Sequence, residues 1–424
     1  MNSSRPVFVP PPKTKSVVLP DGGAVHRGSG GREWQVDQGG HLVRYSKSGL
    51  DARFSNHGQL TQAHVVHHGT DMVLTRDVRG HWQAEAVHSD HSRAVILGSN
   101  RGFVEHKIAA RPGYVVRNYV IEGRPTVRVY RAYAYRNINY FLYVPVVYFQ
   151  PLFYRWLYSR WSAPVDYDWG WSQDPWFVAS RGYFTPDPSY PTPSSWMTDY
   201  LIAENLRLAF VPRDKPQNES EPNPEEVGNV MEVPPEVKQA FSEEIGSQLT
   251  EMEAESKAAG SFDPKHPPAT NEQRPPVLDP KHRLVMVSMN VSVNTSPEET
   301  CALSGGDFIA RTGDEILEGN KVGISVLASK PGDCPYGSAA TIEVSVLQEL
   351  SNETRSQVHA AAGVLAAKQG ASGIPVGPDS TLHGAPEGAA AGDASAESQL
   401  QKLQKEAQQA KDEIKEGTNA SAEK

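Results

Sequence analysis

The chain predicts a mainly β protein with accessory helices, and three observations predict it. Turn signals recur at Gly40, Gly49, Gly58, Gly69, Gly80 and Asp90, with gaps of 9, 9, 11, 11 and 10 residues. The segments between them alternate apolar and polar residues with no 3.6-residue period, the mark of short half-buried strands. A second stretch, residues 281–350, carries five more short apolar runs bounded by Gly, Pro, Asn and Asp. The expected architecture is an N-terminal β meander or sandwich, a small C-terminal β barrel and long disordered linkers. The linkers follow from 33 Pro, 35 Gly and a hydrophobic share of only 38% in 424 residues.

Residues 1–22 read as a disordered, Pro- and Lys-containing lead, and residues 23–135 as the β-rich domain. Its strands include His41–Tyr45, Gln62–Val66, Met72–Thr75 and His81–Val87. Tyr114–Ile121 and Thr126–Tyr133 flank Glu122-Gly123, a hairpin signal. Residues 136–211 form an aromatic, Pro-rich segment ending in a helix over 195–210. Ser194 or Ser195 is its expected cap, with Trp196, Met197, Tyr200, Leu201, Leu208 and Phe210 as its apolar stripe.

Residues 212–280 read as an acidic linker containing an amphipathic helix, 234–258. Pro234-Pro235 suits its first turn, and Val237, Phe241, Ile245, Leu249 and Met252 share one face. The β module of 281–350 follows, then a helix over 351–370 ended by Gly370. Residues 371–394 are a disordered linker and 417–424 a disordered tail. Between them, residues 395–416 carry Ala396, Leu400, Leu403, Ala407, Ala410 and Ile414 at spacings of 4, 3, 4, 3 and 4. That is a weak coiled-coil seam, short and alanine-rich, through which copies of the chain could self-associate.

The net charge of −9 disfavours a dedicated nucleic-acid binder. Charge is uneven, however. Residues 101–160 hold ten Lys/Arg against two Glu, and residues 213–260 hold twelve Asp/Glu against four Lys/Arg, giving +8 and −8. These are either two solvated faces or complementary docking segments. Cys301 and Cys334 share one module and are expected to form a disulfide, which favours an oxidising compartment. The first residues show no apolar signal-peptide core, so the N-terminus and the disulfide pull in different directions. No run approaches the length of a membrane span.

Residues 130–200 pack 12 Tyr, 6 Trp and 5 Phe, 23 of the 36 aromatics in the chain, with Pro threaded between them. The run from Tyr143 to Trp156, Trp169-Gly-Trp171, Pro175-Trp176, Tyr183-Phe184-x-Pro186 and Trp196–Leu206 resembles an uncharacterised family of bacterial exported proteins rich in Tyr, Trp and Pro. The likeness covers roughly residues 100–210, more faintly 279–350, and carries no known activity. It implies an extracytoplasmic protein, in the periplasm or associated with the outer envelope. The module at 281–350 resembles an SH3-like β barrel, with Leu303-Ser-Gly-Gly-Asp307 as a first long loop. Proline-peptide recognition is disfavoured, since only Phe308 and Tyr336 could line a groove.

Such an aromatic block either buries its rings or presents them to a partner. The candidate binding residues are Tyr143, Tyr148, Phe153, Tyr154, Trp156, Trp169, Trp171 and Trp176, with Arg128, Arg131 and Arg136 as a basic flank. Rings alternating with Arg are also what a single-strand nucleic-acid platform or an anionic-surface binder uses. Stacking of Arg on Tyr inside a β segment is the competing account, and is favoured. Asp166 and Asp168 beside Trp169 and Trp171 are the residue types of a glycosidase or glycan binder, although Asp is commonplace in such turns. His64, His67, His88 and His91 are weak metal candidates, because i and i+3 on a strand face opposite ways. No nucleophile elbow, P-loop or dinucleotide fingerprint occurs. The expectation is a non-enzymatic structural or interaction protein of the bacterial cell envelope without a cofactor, its partner a protein or envelope component. The alternatives are a carbohydrate- or cell-wall-binding protein or glycoside-active enzyme using the aromatic block, and a single-stranded nucleic-acid or anionic-surface binder through residues 101–160.

Overall fold

Thirteen strands in sequence order realise the meander that the turn spacing announces. The structure is a computed structural model, and it describes residues 7–55, 58–67, 69–77, 80–98, 101–109, 111–210, 232–259, 273–296, 299–384 and 393–419. The strands are β1 (Lys15–Val18), β2 (Ala24–Arg27), β3 (Glu33–Val36), β4 (Leu42–Lys47), β5 (Leu50–Phe54), β6 (Leu60–His67), β7 (Thr70–Arg76), β8 (Trp82–Val87), β9 (Arg93–Gly98), β10 (Arg101–Lys107), β11 (Tyr114–Ile121), β12 (Arg124–Tyr135) and β13 (Ile138–Val144). Each hydrogen-bonds to its sequence neighbours in one antiparallel sheet. The chain continues through β14 (Tyr148–Phe149), α1 (Pro151–Tyr158), β15 (Val165–Asp166), α2 (Pro175–Ala179), β16 (Ser189–Tyr190), α3 (Pro193–Ala209) and α4 (Pro235–Ala259). Then come β17 (Leu284–Met286), β18 (Val291–Asn294), β19 (Thr300–Leu303), β20 (Phe308–Arg311), β21 (Lys321–Ala328), β22 (Ala339–Glu343), α5 (Val344–Lys368), β23 (Leu382–His383) and α6 (Ala396–Asn419).

The chain forms two compact units, one from the described residues of Met1–His106, Arg117–Val127 and Ala391–Lys424, the other from those of Lys107–Val116 and Arg128–Ala390. No described helix is long and apolar enough to cross a membrane.

In the first unit the predicted turn glycines all take positive φ, and His91 does so in the turn that Asp90 marks. The hairpin at Glu122-Gly123 has both residues at positive φ, the type I′ pattern that matches strand twist. Period-2 patterning then sorts the side chains. One face carries a continuous row, Trp34–Tyr45–Ala52–Ala63–Leu74–Ala84–Ile96–Gly102, one residue from each strand β3 to β10. On the other face, alternate hairpins carry ion pairs: Arg27–Glu33, Arg44–Asp51, His64–Asp71 and Arg93–Glu85.

Helix α6 lies on the apolar row. Its Ala396, Leu403, Ala407, Ala410 and Ile414 join one core with Trp34, Tyr45, Ala52, Ala63, Leu74 and Ala84. A 24-residue helix is about 36 Å long, and seven strand spacings are about 34 Å, so the lengths match. Small residues admit the helix: a side chain at Gly102 would collide with Val95 O and Leu400, and one at Gly417 with the Tyr45 ring. The seam expected to pair copies of the chain is therefore buried against the sheet of the same chain. The hydrophobic effect favours that sheet, which offers a broad apolar row, over a narrow alanine-rich helix partner.

The second unit has two cores. One gathers the β module: Val285, Val293, Leu303, Ile309, Val322, Ile324, Val326 and Ile342 pack with Val344, Leu347 and Leu350 of α5. Six strands, not five, pair in the order β17-β20-β21-β22-β18-β19. Among the described residues no pairing joins β19 back to β17. Helix α5 begins at Val344 rather than 351, and its first two turns supply apolar cover to the module. Asn352 of α5 also caps the β13 edge, donating to Phe141 O at 2.7 Å and accepting from Tyr143 N at 3.0 Å.

Other boundaries shift for identifiable reasons. Lys15–Val18, placed in the lead, is a strand because it pairs with Ala24–Arg27. Helix α3 starts at Pro193, and its cap is Thr192, whose hydroxyl accepts from Ser195 N at 3.0 Å in a capping box. Leu206, not Leu208 or Phe210, completes its fully buried stripe. Residues 371–384 hold a turn and β23, which pairs with β14. The expected linkers at 212–231, 260–272 and 385–392 lie outside the described residues.

Candidate functional site

The second core of that unit is built from the aromatic block. Phe153, Tyr154, Leu157, Trp176, Tyr183, Phe184, Tyr190 and Trp196 are buried there against Val237, Phe241, Ile245, Leu249 and Met252 of α4. Those five are the predicted α4 stripe in full. Burying them alone contributes about 10 kcal/mol before the entropy of ordering the chain. Pro151 and Pro175 open α1 and α2 at positions where a missing N–H matters least.

The rings meet in layers. Trp169 stacks on Trp171 at 4.3 Å and on Trp196 at 4.8 Å, and Trp196 stacks on Tyr200 at 5.3 Å. Phe149, Phe153 and Trp156 form a second run, with centroids 4.9 and 5.5 Å apart.

A polar chain runs out of the ring layers. Trp169 Nε1 donates to Tyr190 Oη at 2.8 Å, and Tyr190 Oη donates to Asp199 Oδ2 at 2.7 Å. Asp199 is fully buried, and Lys238 of α4 reaches its Oδ1 at 2.7 Å and Asp187 Oδ1 at 2.6 Å. Burial raises the Asp199 carboxyl pKa, and the Lys238 ammonium partly offsets that rise. A second, partly buried network holds α4 to α5. His282 sits between Glu244 at 2.9 Å and Glu251 at 2.8 Å, and Arg355 bridges Glu251 and Glu255. Hydrogen bonds from Glu244 and then Glu251 push His282 up to about 10, so the imidazole is a cation at neutral pH. A third joins the β module: Lys330 Nζ lies 2.5 Å from buried Asp307 and also donates to Ser304 O and Gly305 O.

The predicted residues separate clearly. Tyr143, Tyr148, Phe153, Tyr154 and Trp176 are buried core, whereas Trp156, Trp169 and Trp171 are half-buried. Arg128 is buried in an ion pair with Glu353. Arg131 is buried with its guanidinium 4.8 Å from the Tyr133 ring centre, and only Arg136 of the three is exposed. Arg131 thus fits the Arg–Tyr stacking account, while Arg128 is taken up by its ion pair. Arg155 pairs with Glu253 at 2.9 Å, joining α1 to α4, so the basic and acidic segments do meet at this point. Asp166 and Asp168 are exposed, and Asp168 accepts from Gly170 N within its own turn. His64 pairs with Asp71 and His91 closes a turn onto His88. The His67 side chain lies outside the described residues. Among the described residues no group of three or more His, Cys, Asp or Glu has metal-holding geometry. Cys301 and Cys334 are disulfide-bonded, with Cα atoms 5.2 Å apart.

Sequence reasoning missed Asp199, Lys238, Tyr190, His282, Arg355 and Lys330. The one usable signal was Glu244 and Glu251, seven residues apart on a helix and so on one face. No protein-family model matches the chain, and no curated protein or solved structure is significantly similar to it.

Proposed function

We propose that the chain is a non-enzymatic structural or interaction protein of the bacterial cell envelope. The observation that carries this reading is the inward packing of the aromatic block. Rings that would have to face solvent to grip a ligand instead form the core that supports α3, α4 and α5. The Cys301–Cys334 bridge supports an oxidising location, and the resemblance to exported Tyr/Trp/Pro-rich proteins points the same way. The likeness of the β module to an SH3-like barrel carries no part of the proposal.

A second reading has one observation behind it. Trp156, Trp169 and Trp171 keep partly exposed surface, and Asp168, next to Trp169, is exposed. A glycan could stack there. Sedimentation of the full chain with purified cell-wall polymer, alongside a hydrolysis screen, tests both readings. Binding without turnover supports an envelope interaction protein. Turnover lost in D166N/D168N would replace that reading with a glycoside-active enzyme.

A further inference from the structure

We infer that Lys330 and Asp307 are the two ends of an intramolecular isopeptide bond, which forms by condensation of their ion pair with Asp333 as the proton carrier. This goes beyond the proposed function and does not depend on it.

The backbone brings the two groups together. Asp307 stands immediately before β20 and Lys330 two residues after β21, and Phe308 of β20 pairs with Ala328 of β21. Lys330 Nζ thereby lies 2.5 Å from Asp307 Oδ1, and the Asp307 side chain is fully enclosed. Reactants held in such contact reach effective concentrations of about 10⁵–10⁸ M, which offsets the poor reactivity of an unactivated carboxyl.

The remaining contacts suit the reaction. Lys330 Nζ donates to Gly305 O at 2.8 Å and to Ser304 O at 3.2 Å. A neutral amine has two N–H bonds and one lone pair. The two carbonyls take the N–H bonds, which leaves the lone pair facing the Asp307 carboxyl. Ser304 N donates to Asp307 Oδ2 at 2.8 Å and Lys330 N to Oδ1 at 3.0 Å, so negative charge that develops on Oδ2 meets a donor already in place. Asp333, its side chain also fully buried, has Oδ2 at 3.6 Å from Lys330 Nζ. Ser304 Oγ holds that carboxylate at 2.7 Å. Two buried carboxylates thus face one ammonium. Buried charge is costly, and an amide in place of the closer pair removes two charges from the interior. The Lys330 side chain keeps 19% of its surface exposed, which gives the released water a way out.

The step balances. Lys330 Nζ passes one proton to Asp307 Oδ1, and its lone pair attacks Asp307 Cγ, moving the carbonyl π electrons onto Oδ2. Asp333 takes a second proton from the nitrogen and delivers it to Oδ1, which leaves as water while the Cγ–Oδ2 double bond reforms. One N–C bond forms, one C–O bond breaks and nothing is oxidised or reduced. Asp333 ends as the carboxylate it began as.

Mass spectrometry of the full chain, denatured and with Cys301–Cys334 reduced and alkylated, tests the bond. The native chain should fall short of its sequence mass by one water. Trypsin should leave residues 284–311, which hold Asp307, joined to residues 322–355, which hold Lys330, although no disulfide remains. Lys330→Arg keeps the cation but removes the primary amine, and should give the full mass and two separate peptides. Asp333→Asn keeps both reactants and, with circular dichroism unchanged, should leave most chains unjoined. A native chain of full mass with separate peptides overturns the bond, as does a joined pair that survives Lys330→Arg. A joined fraction unchanged in Asp333→Asn overturns the proton-carrier role.

Discussion

Lys238→Met isolates the physical role of the buried polar chain in the aromatic core. Methionine keeps most of the volume and the straight stem of lysine but removes the ammonium that faces Asp199. The carboxylate left behind is fully buried and still accepts from Tyr190 Oη and from Asp187 N. Removing one member of a buried pair costs about 3–5 kcal/mol, and the surviving donors place this case near the lower figure, about 3 kcal/mol. For a unit of this size that is roughly 6–12 °C in Tm at neutral pH.

The pH dependence gives the sharper test. The folded pKa of Asp199 already lies above its ordinary value because of burial, with Lys238 holding it down. An acid that binds its proton more tightly when folded loses stability as pH rises between its unfolded and folded pKa. Without Lys238 the folded pKa climbs further, so the loss widens toward neutral pH and shrinks on acidification. Thermal unfolding followed by circular dichroism, with tryptophan fluorescence as a second probe, should show a near-normal Tm around pH 4 and a large deficit at pH 7. Asp199→Asn in the same chain should recover much of that deficit. A deficit independent of pH, or one that Asp199→Asn leaves unchanged, would falsify the assignment of Lys238 as the counter-ion.

Other perturbations have equally direct outcomes. His282 has a folded pKa near 10, raised by Glu244 and Glu251, so its contribution is complete below about pH 6.5 and disappears as pH rises through about 10. Denaturant titrations at pH 6, 8 and 10 should therefore show a steeper alkaline loss in the native chain than in His282→Gln. Reduction, or Cys301→Ser with Cys334→Ser, opens a loop of 33 residues and should lower the stability of the β module by about 3–4 kcal/mol. Ala63→Leu places a branched side chain in the row beneath α6 and should cost about 1–3 kcal/mol. Its readout is faster proteolysis within 393–419, with the second unit unchanged. Asn352→Ala strands Tyr143 N and Phe141 O at a buried edge and should cost about 1–3 kcal/mol in denaturant titration.

The legible parts of this chain are those set by local periodicity. Gly49 and Gly69 marked turns because only residues tolerant of positive φ can close such short hairpins. Val237 through Met252 marked the α4 face because their spacing already follows the helix. The disulfide was legible because two cysteines in one module leave a single pairing. What the sequence hid was long-range partner choice. Thr192 outcompeted Ser194 and Ser195 as a cap because Pro193 fixes the first helical turn. The seam of α6 could suit a helix or a sheet, and nothing in its own residues says that the Ala52–Ala63–Ala84 row lies opposite.

The hidden residues nevertheless share a physical character that bears on function. Asp199, Lys238, Arg355 and Asp307 are buried charges and His282 and Lys330 half-buried ones, and each finds a compensating charge on a different element. Buried pairs of this kind add little net stability over an apolar core, but breaking one is severe, so they select one arrangement of elements over its competitors. An aromatic block needs such selection. Tyr, Trp and Phe pack in many nearly equivalent ways, and stacked rings alone do not fix which neighbour each one takes. Lys238 must meet Asp199, and Asp199 must meet Tyr190, before Trp169 has its hydrogen bond. On this argument the charges set the register of the rings, and the rings supply the bulk that holds the charges dry.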